Sequence, residues 1–335
     1  MESRNLKSVR KTNKMKWIYL SLLILIMMAG VGYLFRKELS IFAFNSLLKE
    51  DLKTSLDKSY KAVGYEDSDN QSFKNEPFSL LLLGIDQRGK EASRSDTIIY
   101  SVIRPKDNKV LLVSIPRDTY TEIIGRDVKS KINSAFAYGE EKMSIDTVEN
   151  LLKTKVNYYG TVNFNAIINL VDAVGGVKLP ITEVIENKNP VHIKLRIDPN
   201  KLIYDGQDAL NYVRYREDSD FKRTERQRIF IKSMMDKVLE LKNITKVPDL
   251  IDIAGSNFTT NMHPDFIFSL AETLYLNDTP PDFESYMLHG NGKMIGSTWY
   301  YDVDTEDLDY TQNLISNWLD SEIDKENLML PNDKN

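Results

Sequence analysis

The 335-residue sequence contains no cysteine, which excludes a disulfide framework, a thiolate metal site and a thiol nucleophile. That absence does not place the protein inside the cell, because a chain of this length buries a core large enough to fold outside it without cross-links. Histidine is nearly missing too, with His192, His263 and His289 the only three. None stands at H-E-x-x-H or similar spacing, so a histidine-built zinc site is not expected and each reads as a packing or surface residue. No internal repeat is present. Basic residues hold no excess either: 44 Lys and Arg against 49 Asp and Glu leave a formal charge of −5.

What charge there is of one sign sits at the start. Residues 1–16 carry Arg4, Lys7, Arg10, Lys11, Lys14 and Lys16 against Glu2, a net of +5. Nineteen uncharged, mostly apolar residues follow, Trp17 to Phe35. A helix of that length crosses a hydrocarbon layer of about 30 Å, with Trp17, Tyr19 and Tyr33 placed for the interfaces. The positive-inside rule keeps 1–16 as a cytoplasmic tail and puts everything after Phe35 outside, as a single-pass protein of the cell membrane. A cleaved signal peptide is the competing reading; the apolar run exceeds the usual length and no clear A-x-A site follows it. The overall −5 less the tail's +5 leaves −10 for the rest, which argues against nucleic acid as a partner.

Residues 36–76 read as a juxtamembrane stalk and linker, helical over about 36–60 and loop-like over 64–76. From there to 321 the pattern is that of one α/β domain, and 322–335 reads as a flexible tail. Ser79 to Ile85, Thr97 to Ile103 and Val110 to Ile115 are short apolar runs rich in β-formers, expected as buried strands. R-P-K-D-N-K between the second and third is a hairpin turn. Further strands are expected at 156–162, 191–197, 284–289 and 295–301. Helices are expected at about 132–139, 144–153, 164–174, 205–214 with Asp205 as N-cap, 221–241, 248–255, 264–276 and 304–321. Strands interleaved with helices define an α-β-α sandwich around a central mixed sheet.

Each of the first strands ends in a polar cluster: Asp86-Gln87-Arg88, Arg94-Ser95-Asp96 and Pro116-Arg117-Asp118. If strands one and two are antiparallel neighbours, Asp86 and Asp96 lie close together. Paired carboxylates suit Mg²⁺, which takes one or two of them together with substrate phosphates. A second concentration runs from Arg214 to Arg228, where ten of fifteen residues are charged and five are arginines. Arg223, Arg226 and Gln227 fall close to one helix face, Asp220 at or near the helix start, and Arg214 and Arg216 just before it. Guanidinium groups match phosphate oxygens bidentately, so the cluster reads either as a phosphate site or as a solvated face, with Glu217, Lys222 and Glu225 on the solvated side. Asp220 is equally readable as an N-cap. Phe164, Ile168, Val171, Phe230 and Met234, on the helices at 164–174 and 221–241, read as lining for an apolar tunnel or as ordinary core.

In order, L-L-L-G-I-D-Q-R, R-S-D-T, S-I-P-R-D-T-Y, K-I-N-S-A-F-A-Y-G, V-D-A-V-G-G-V and the run from Arg214 to Arg228 closely resemble the LytR-CpsA-Psr family over about 78–241. The resemblance implies an extracellular enzyme of Gram-positive walls that takes a polyprenyl-pyrophosphate-linked glycopolymer, a teichoic acid or a capsule polymer, and transfers the phosphoglycan to peptidoglycan. It implies Mg or Mn held by Asp86 and Asp96. It assigns Arg88, Arg94, Arg117, Arg214, Arg216 and Arg223 to phosphate, and Asp220 and Gln227 to the polar part of the site. It points to the C6 hydroxyl of N-acetylmuramic acid as acceptor, with Asp220 or Asp96 taking its proton; Arg117 and Arg216 are expected to act in catalysis beside them. The alternatives are a pyrophosphatase acting on the same lipids and a membrane-anchored regulatory protein of the transcriptional-attenuator kind. The sixteen-residue tail is too short to fold as a DNA-reading module.

Overall fold

The first three strands are apolar almost without interruption because both of their faces are covered. The computed structural model describes residues 53–54, 56–63, 75–85, 93–189, 193–240, 250, 253, 258–277 and 279–331. The expected tail at 1–16, the span at 17–35 and most of the helix at 248–255 lie outside them. Among the described residues no helix is long and apolar enough to cross a membrane.

A six-stranded sheet is built from β1 (Phe78–Ile85), β2 (Ser95–Arg104), β3 (Lys109–Ser114), β6 (Tyr158–Asn163), β9 (Phe258–Thr260) and β10 (Asp282–Met287). Their order is β10-β3-β2-β1-β6-β9. β1 is antiparallel to β2, and β2 to β3; β6 runs parallel to β1 and β10 parallel to β3, while β9 is antiparallel to β6. The sheet is therefore mixed, as expected. The ends of β1, β3, β6 and β10 and the start of β2 consequently meet at one end of the sheet.

Alternation along the strands feeds two cores. Leu81, Leu83, Tyr100, Val102, Leu111 and Val113 face one side, where α1 (Ser134–Leu152) and α6 (Thr305–Leu319) supply Ile145, Val148, Leu314, Ile315 and Trp318. Ile99, Ile103, Val110 and Leu112 face the other, against Phe266 of α5 (Pro264–Leu276) and Ile231 of α4 (Asp220–Glu240). Helices thus lie on both faces, giving the expected sandwich. A third apolar cluster joins α2 (Phe164–Ala173) and α3 (Gly206–Arg214). Val171 is fully buried there, and Ile168, Phe230 and Met234 pack around it.

Local signals explain the boundaries. Asp205 caps α3, its Oδ1 accepting from Asp208 N at 2.8 Å, and Asp304 caps α6 in the same way at 3.1 Å. The helices expected at 132–139 and 144–153 are one element broken at Gly139 and Glu140, where φ is −155° and 51°. Arg104, buried at the end of β2, donates to Trp318 O and Asp320 O, satisfying carbonyls that the end of α6 leaves without helical partners, and to Ile323 O in the segment beyond. Gly206 lets α3 approach α2: an added Cβ would lie 2.3 Å from Ile168 O. Gly206→Ala is therefore expected to destabilise the fold by about 1–3 kcal/mol, read as a lowered midpoint in urea unfolding.

One element is additional to the expectations, and four expectations are corrected. A β-hairpin, β4 (Tyr120–Ile123) with β5 (Val128–Lys131), was not foreseen. The strand at 295–301 is split by a turn at Gly296, with φ 60°, into β11 (Gly290–Ile295) and β12 (Thr298–Val303). Of the strand expected at 191–197, residues 191 and 192 lie outside the described residues, and 193–197 hold only β8 (Arg196–Ile197), paired with β7 (Ile185–Glu186). Described residues of the expected stalk belong to the domain: Leu56 is buried, and Lys61 N donates to Thr260 O of β9. After Asp324 the chain is not loose up to residue 331. Leu328 is buried because Trp318 Nε1 donates to Met329 O at 2.8 Å and Met329 N donates to Asn317 Oδ1 at 2.8 Å.

Candidate active site

Two of the three polar clusters, those holding Arg94 and Asp96 and Arg117 and Asp118, meet the arginines of the helices in one cavity of about 680 Å³, lined by Arg94, Asp96, Arg117, Arg214, Arg216, Arg223 and Gln227. Arg94 and Asp96 enter from the start of β2, and Arg117 from the segment after β3. Arg214 closes α3 with Arg216 just beyond it, and Arg223 and Gln227 project from the first turns of α4. The antiparallel register pairs Ile85 with Ser95, as the approach of the first two clusters requires. Asp86 and Arg88 lie outside the described residues.

Arg117 organises the acidic side. Its Nη1 donates to Asp96 Oδ1 at 2.8 Å, and its Nε lies 3.4 Å from Asp118 Oδ2. Lys131 Nζ sits 2.7 Å from Asp118 Oδ1. Asp118, Lys131 and Asn133 all line the cavity and were missed as site residues, although P-R-D and K-I-N-S had been singled out. Backbone bonds from Ile132 N to Thr119 O and from Asn133 N to Arg117 O bring the two stretches together. Asn133 is buried, and its Oδ1 has no hydrogen-bond partner among the described residues. That leaves an acceptor beside the cavity for a ligand hydroxyl or amide.

The opposite wall is apolar, made by Val162, Phe164, Ile167, Leu195 and Val213. The Arg214 guanidinium lies 4.5 Å from the centroid of the Phe164 ring, which holds its planar face. Of the five residues weighed for a lipid tunnel, only Phe164 lines this cavity; the others belong to the α2–α3 core described above.

Helical spacing placed Arg226 beside Arg223, but the two do different work. Arg226 is buried and turned to the loop before α4, donating to Asp218 Oδ2 at 2.6 Å, Asp218 Oδ1 at 3.0 Å and Tyr212 O at 3.1 Å, and also to Tyr215 O. Ser219, not Asp220, is the N-cap: its Oγ accepts from Lys222 N at 3.0 Å. Asp220 is the first helical residue of α4. Glu217, expected on the solvated face, accepts from Lys188 N at 2.8 Å and Asn189 N at 3.0 Å and so fastens the loop carrying Arg216. Lys222 and Glu225 do form an exposed pair, 3.0 Å apart.

Burial alone would raise the Asp218 carboxyl, yet bonds from Arg226 and the Ser219 amide offset it and hold the group below its ordinary value. A carboxyl depressed by folding stabilises the folded state above its unfolded value and loses that contribution as pH falls through its folded one. Asp218→Asn is expected to destabilise the protein by about 1–2 kcal/mol at pH 7, because Arg226 keeps only one partner oxygen of the pair. Urea unfolding at pH 7 and below pH 3.8, the unperturbed value, checks the sign: the gap between wild type and variant should narrow in acid.

His263 caps α5 and His289 packs on Tyr286, ring centroids 5.3 Å apart, so neither histidine serves the cavity; His192 lies outside the described residues. Among the described residues no group of three or more His, Cys, Asp or Glu stands ready for a metal.

Arginines outnumber carboxylates around a cavity with one apolar wall, at the strand ends of an α/β sandwich, which defines a protein built to hold an oxyanion attached to an apolar group. The chain belongs to the LytR_cpsA_psr family, whose profile matches residues 46–317. It is similar to the polyisoprenyl-teichoic acid–peptidoglycan teichoic acid transferase TagU of Bacillus subtilis (strain 168), 33% identical over 314 residues covering 91% of this chain and 97% of that protein. Among solved structures it is similar to B. subtilis TagV, with a TM-score of 0.64 and 28% identity over 75% of this chain and 100% of that one. It is also similar to TagT of B. subtilis, solved bound to LIIa-WTA, with a TM-score of 0.61 and 27% identity over 78% of this chain and 98% of that one.

Proposed function

We propose that this protein transfers a glycopolymer phosphate from a polyprenyl pyrophosphate carrier to peptidoglycan, as a phosphotransferase of wall-polymer attachment. The observation that carries this reading is the convergence of Arg94, Arg117, Arg214, Arg216 and Arg223 on one cavity walled on its far side by Phe164, Leu195 and Val213. Forked guanidinium groups hold the pyrophosphate, and the apolar wall takes the start of the carrier. The names of the similar transferases support the same chemistry, as does a similar protein bound to LIIa-WTA.

In the reaction an acceptor hydroxyl oxygen attacks the glycan-side phosphorus, and the bond from that phosphorus to the bridging oxygen breaks. Polyprenyl phosphate leaves with the electron pair, and the hydroxyl proton passes to a carboxylate. Asp96, less engaged than Asp118, which is held by both Lys131 and Arg117, is the carboxylate in the cavity that takes it, with Asp220 the alternative at the head of α4. The arginines receive the charge that develops on the leaving phosphate without having to reorganise. Asp96 keeps one oxygen on Arg117, and its side chain is 34% exposed. Such a hard oxygen donor suits a divalent cation that also takes phosphate oxygens. Asp96, with Asp86, would hold Mg²⁺ or Mn²⁺, which when bound neutralises phosphate charge. The location that fits residues 1–35 is the cell membrane, crossed once, with the catalytic domain outside.

Incubating the purified full-length protein with a polyprenyl-pyrophosphate glycan, Mg²⁺ and an uncrosslinked peptidoglycan acceptor tests the reading. Glycan joined to acceptor is the expected result. Phosphate release indifferent to acceptor would make the protein a pyrophosphatase, and binding without turnover would make it a regulator.

A further inference from the structure

The β11–β12 hairpin exposes apolar side chains beside the cavity, with Met294 60%, Trp299 43% and Ile295 37% exposed. The register pairs Met294 with Trp299 and Gly292 with Tyr301, so all four positions share one face of the ribbon. A Cβ added at Gly292 would lie 2.8 Å from Trp299 Nε1 and 3.3 Å from its Cε2. The missing side chain therefore lets the indole lie against the backbone as a flat, supported plate.

This ribbon is fastened to the acidic side of the cavity. Tyr301 N donates to Asp118 O at 2.8 Å, one residue from Arg117, and Tyr301 bridges Thr119. Tyr300 meets Tyr120 edge-on with centroids 4.8 Å apart, and Tyr120 stands opposite Lys131 in β4–β5. Lys131 Nζ lies 6.0 Å from the Trp299 ring and 5.9 Å from the Tyr300 ring while holding Asp118 at 2.7 Å. An aromatic surface thus begins one side chain away from Arg117, on the side away from the Phe164–Val213 wall.

The geometry points to Trp299 and Met294, which share one face of the ribbon, as a platform for the sugar rings of the acceptor glycan strand. This rests on the transferase reading, in which the apolar wall takes the carrier and leaves the Lys131 side for the acceptor. A pyranose presents a face of C–H groups that stacks on an aromatic plate, with its hydroxyls directed sideways to polar groups. Three exposed apolar residues are far too few for a protein interface of about 800 Å² per partner. The charge does not suit an anionic bilayer either, since Lys293 is paired with Asp302 at 2.7 Å.

Trp299→Ala and Trp299→Phe, in the full-length protein, are titrated with soluble uncrosslinked peptidoglycan strands and separately with the lipid-linked donor. The alanine variant is expected to bind strands about tenfold more weakly and the phenylalanine variant to stay within about threefold of wild type, with donor affinity moving less than twofold in both. Strand affinity unchanged in Trp299→Ala overturns the platform, as does a loss that falls equally on the donor or appears instead on anionic vesicles. If Trp299→Ala fails to fold, Met294→Ala carries the same expectation at about threefold, and no change there overturns it. A wild type that binds strands through Trp299 but transfers nothing supports the platform and sinks the transferase reading.

Discussion

Arg117→Ala is expected to lower kcat/KM for glycopolymer transfer by about 10³-fold, the scale on which a pre-positioned charge at a transferring phosphoryl group acts. The guanidinium reaches both carboxylates on the acidic side, Asp96 at 2.8 Å and Asp118 at 3.4 Å. It also faces the cavity with Arg94, Arg214, Arg216 and Arg223. Its loss therefore removes a phosphate donor and leaves two carboxylates repelling both each other and the substrate. Arg117→Lys restores the charge but not the planar fork, and is expected to recover about a tenth of the activity. Asp118 keeps Lys131 in either variant, so the fold should survive, and thermal unfolding checks that it does. An alanine variant within threefold of wild type would move the phosphate site elsewhere.

Asp96→Asn is the second large effect, an expected loss of about 10²–10³-fold in kcat. Asparagine keeps the size and an oxygen that can accept from Arg117, but it neither takes a proton nor offers a charged ligand to a cation. The loss should therefore fall on kcat and on the response to Mg²⁺, with donor affinity changed little. Because Asp96 and Arg117 are in contact, combining the two substitutions should cost far less than the product of the single losses. Strictly multiplicative losses would mean that the 2.8 Å bond has no part in the reaction.

Much of this fold was legible because burial leaves a strong mark on sequence. β1, β2 and β3 are covered on both faces and read as unbroken apolar runs, and α3 announces itself through Asp205. What was illegible is exposed. β5 is V-K-S-K, with two residues exposed and two half-buried, and β11 is G-N-G-K-M-I, exposed along nearly all its length. Neither carries the alternation that a half-buried strand would. The tail after Asp324 looked loose because its anchors are backbone groups bonded to Trp318 and Asn317, which composition does not record.

The site was legible in kind and less so in assignment. Clustered arginines and strand-end acids pointed to a phosphate pocket, and Arg94, Asp96, Arg117, Arg214, Arg216, Arg223 and Gln227 do line one cavity. Spacing along α4 could not tell Arg223, which lines the cavity, from Arg226, which clamps Asp218, because both fall on nearly the same helical face. Asp118, Lys131 and Asn133 escaped for a different reason: they are brought together by a hairpin that the sequence pattern did not reveal.

The most direct test places a ³²P label on the glycan-side phosphate of a polyprenyl-pyrophosphate glycan and follows it through the reaction with peptidoglycan strands. The label is expected in the strands together with the glycan, with unlabelled polyprenyl phosphate released, and both stop in Arg117→Ala. Label remaining with the lipid, or glycan reaching the strands without it, would contradict transfer of a glycosyl phosphate at this cavity.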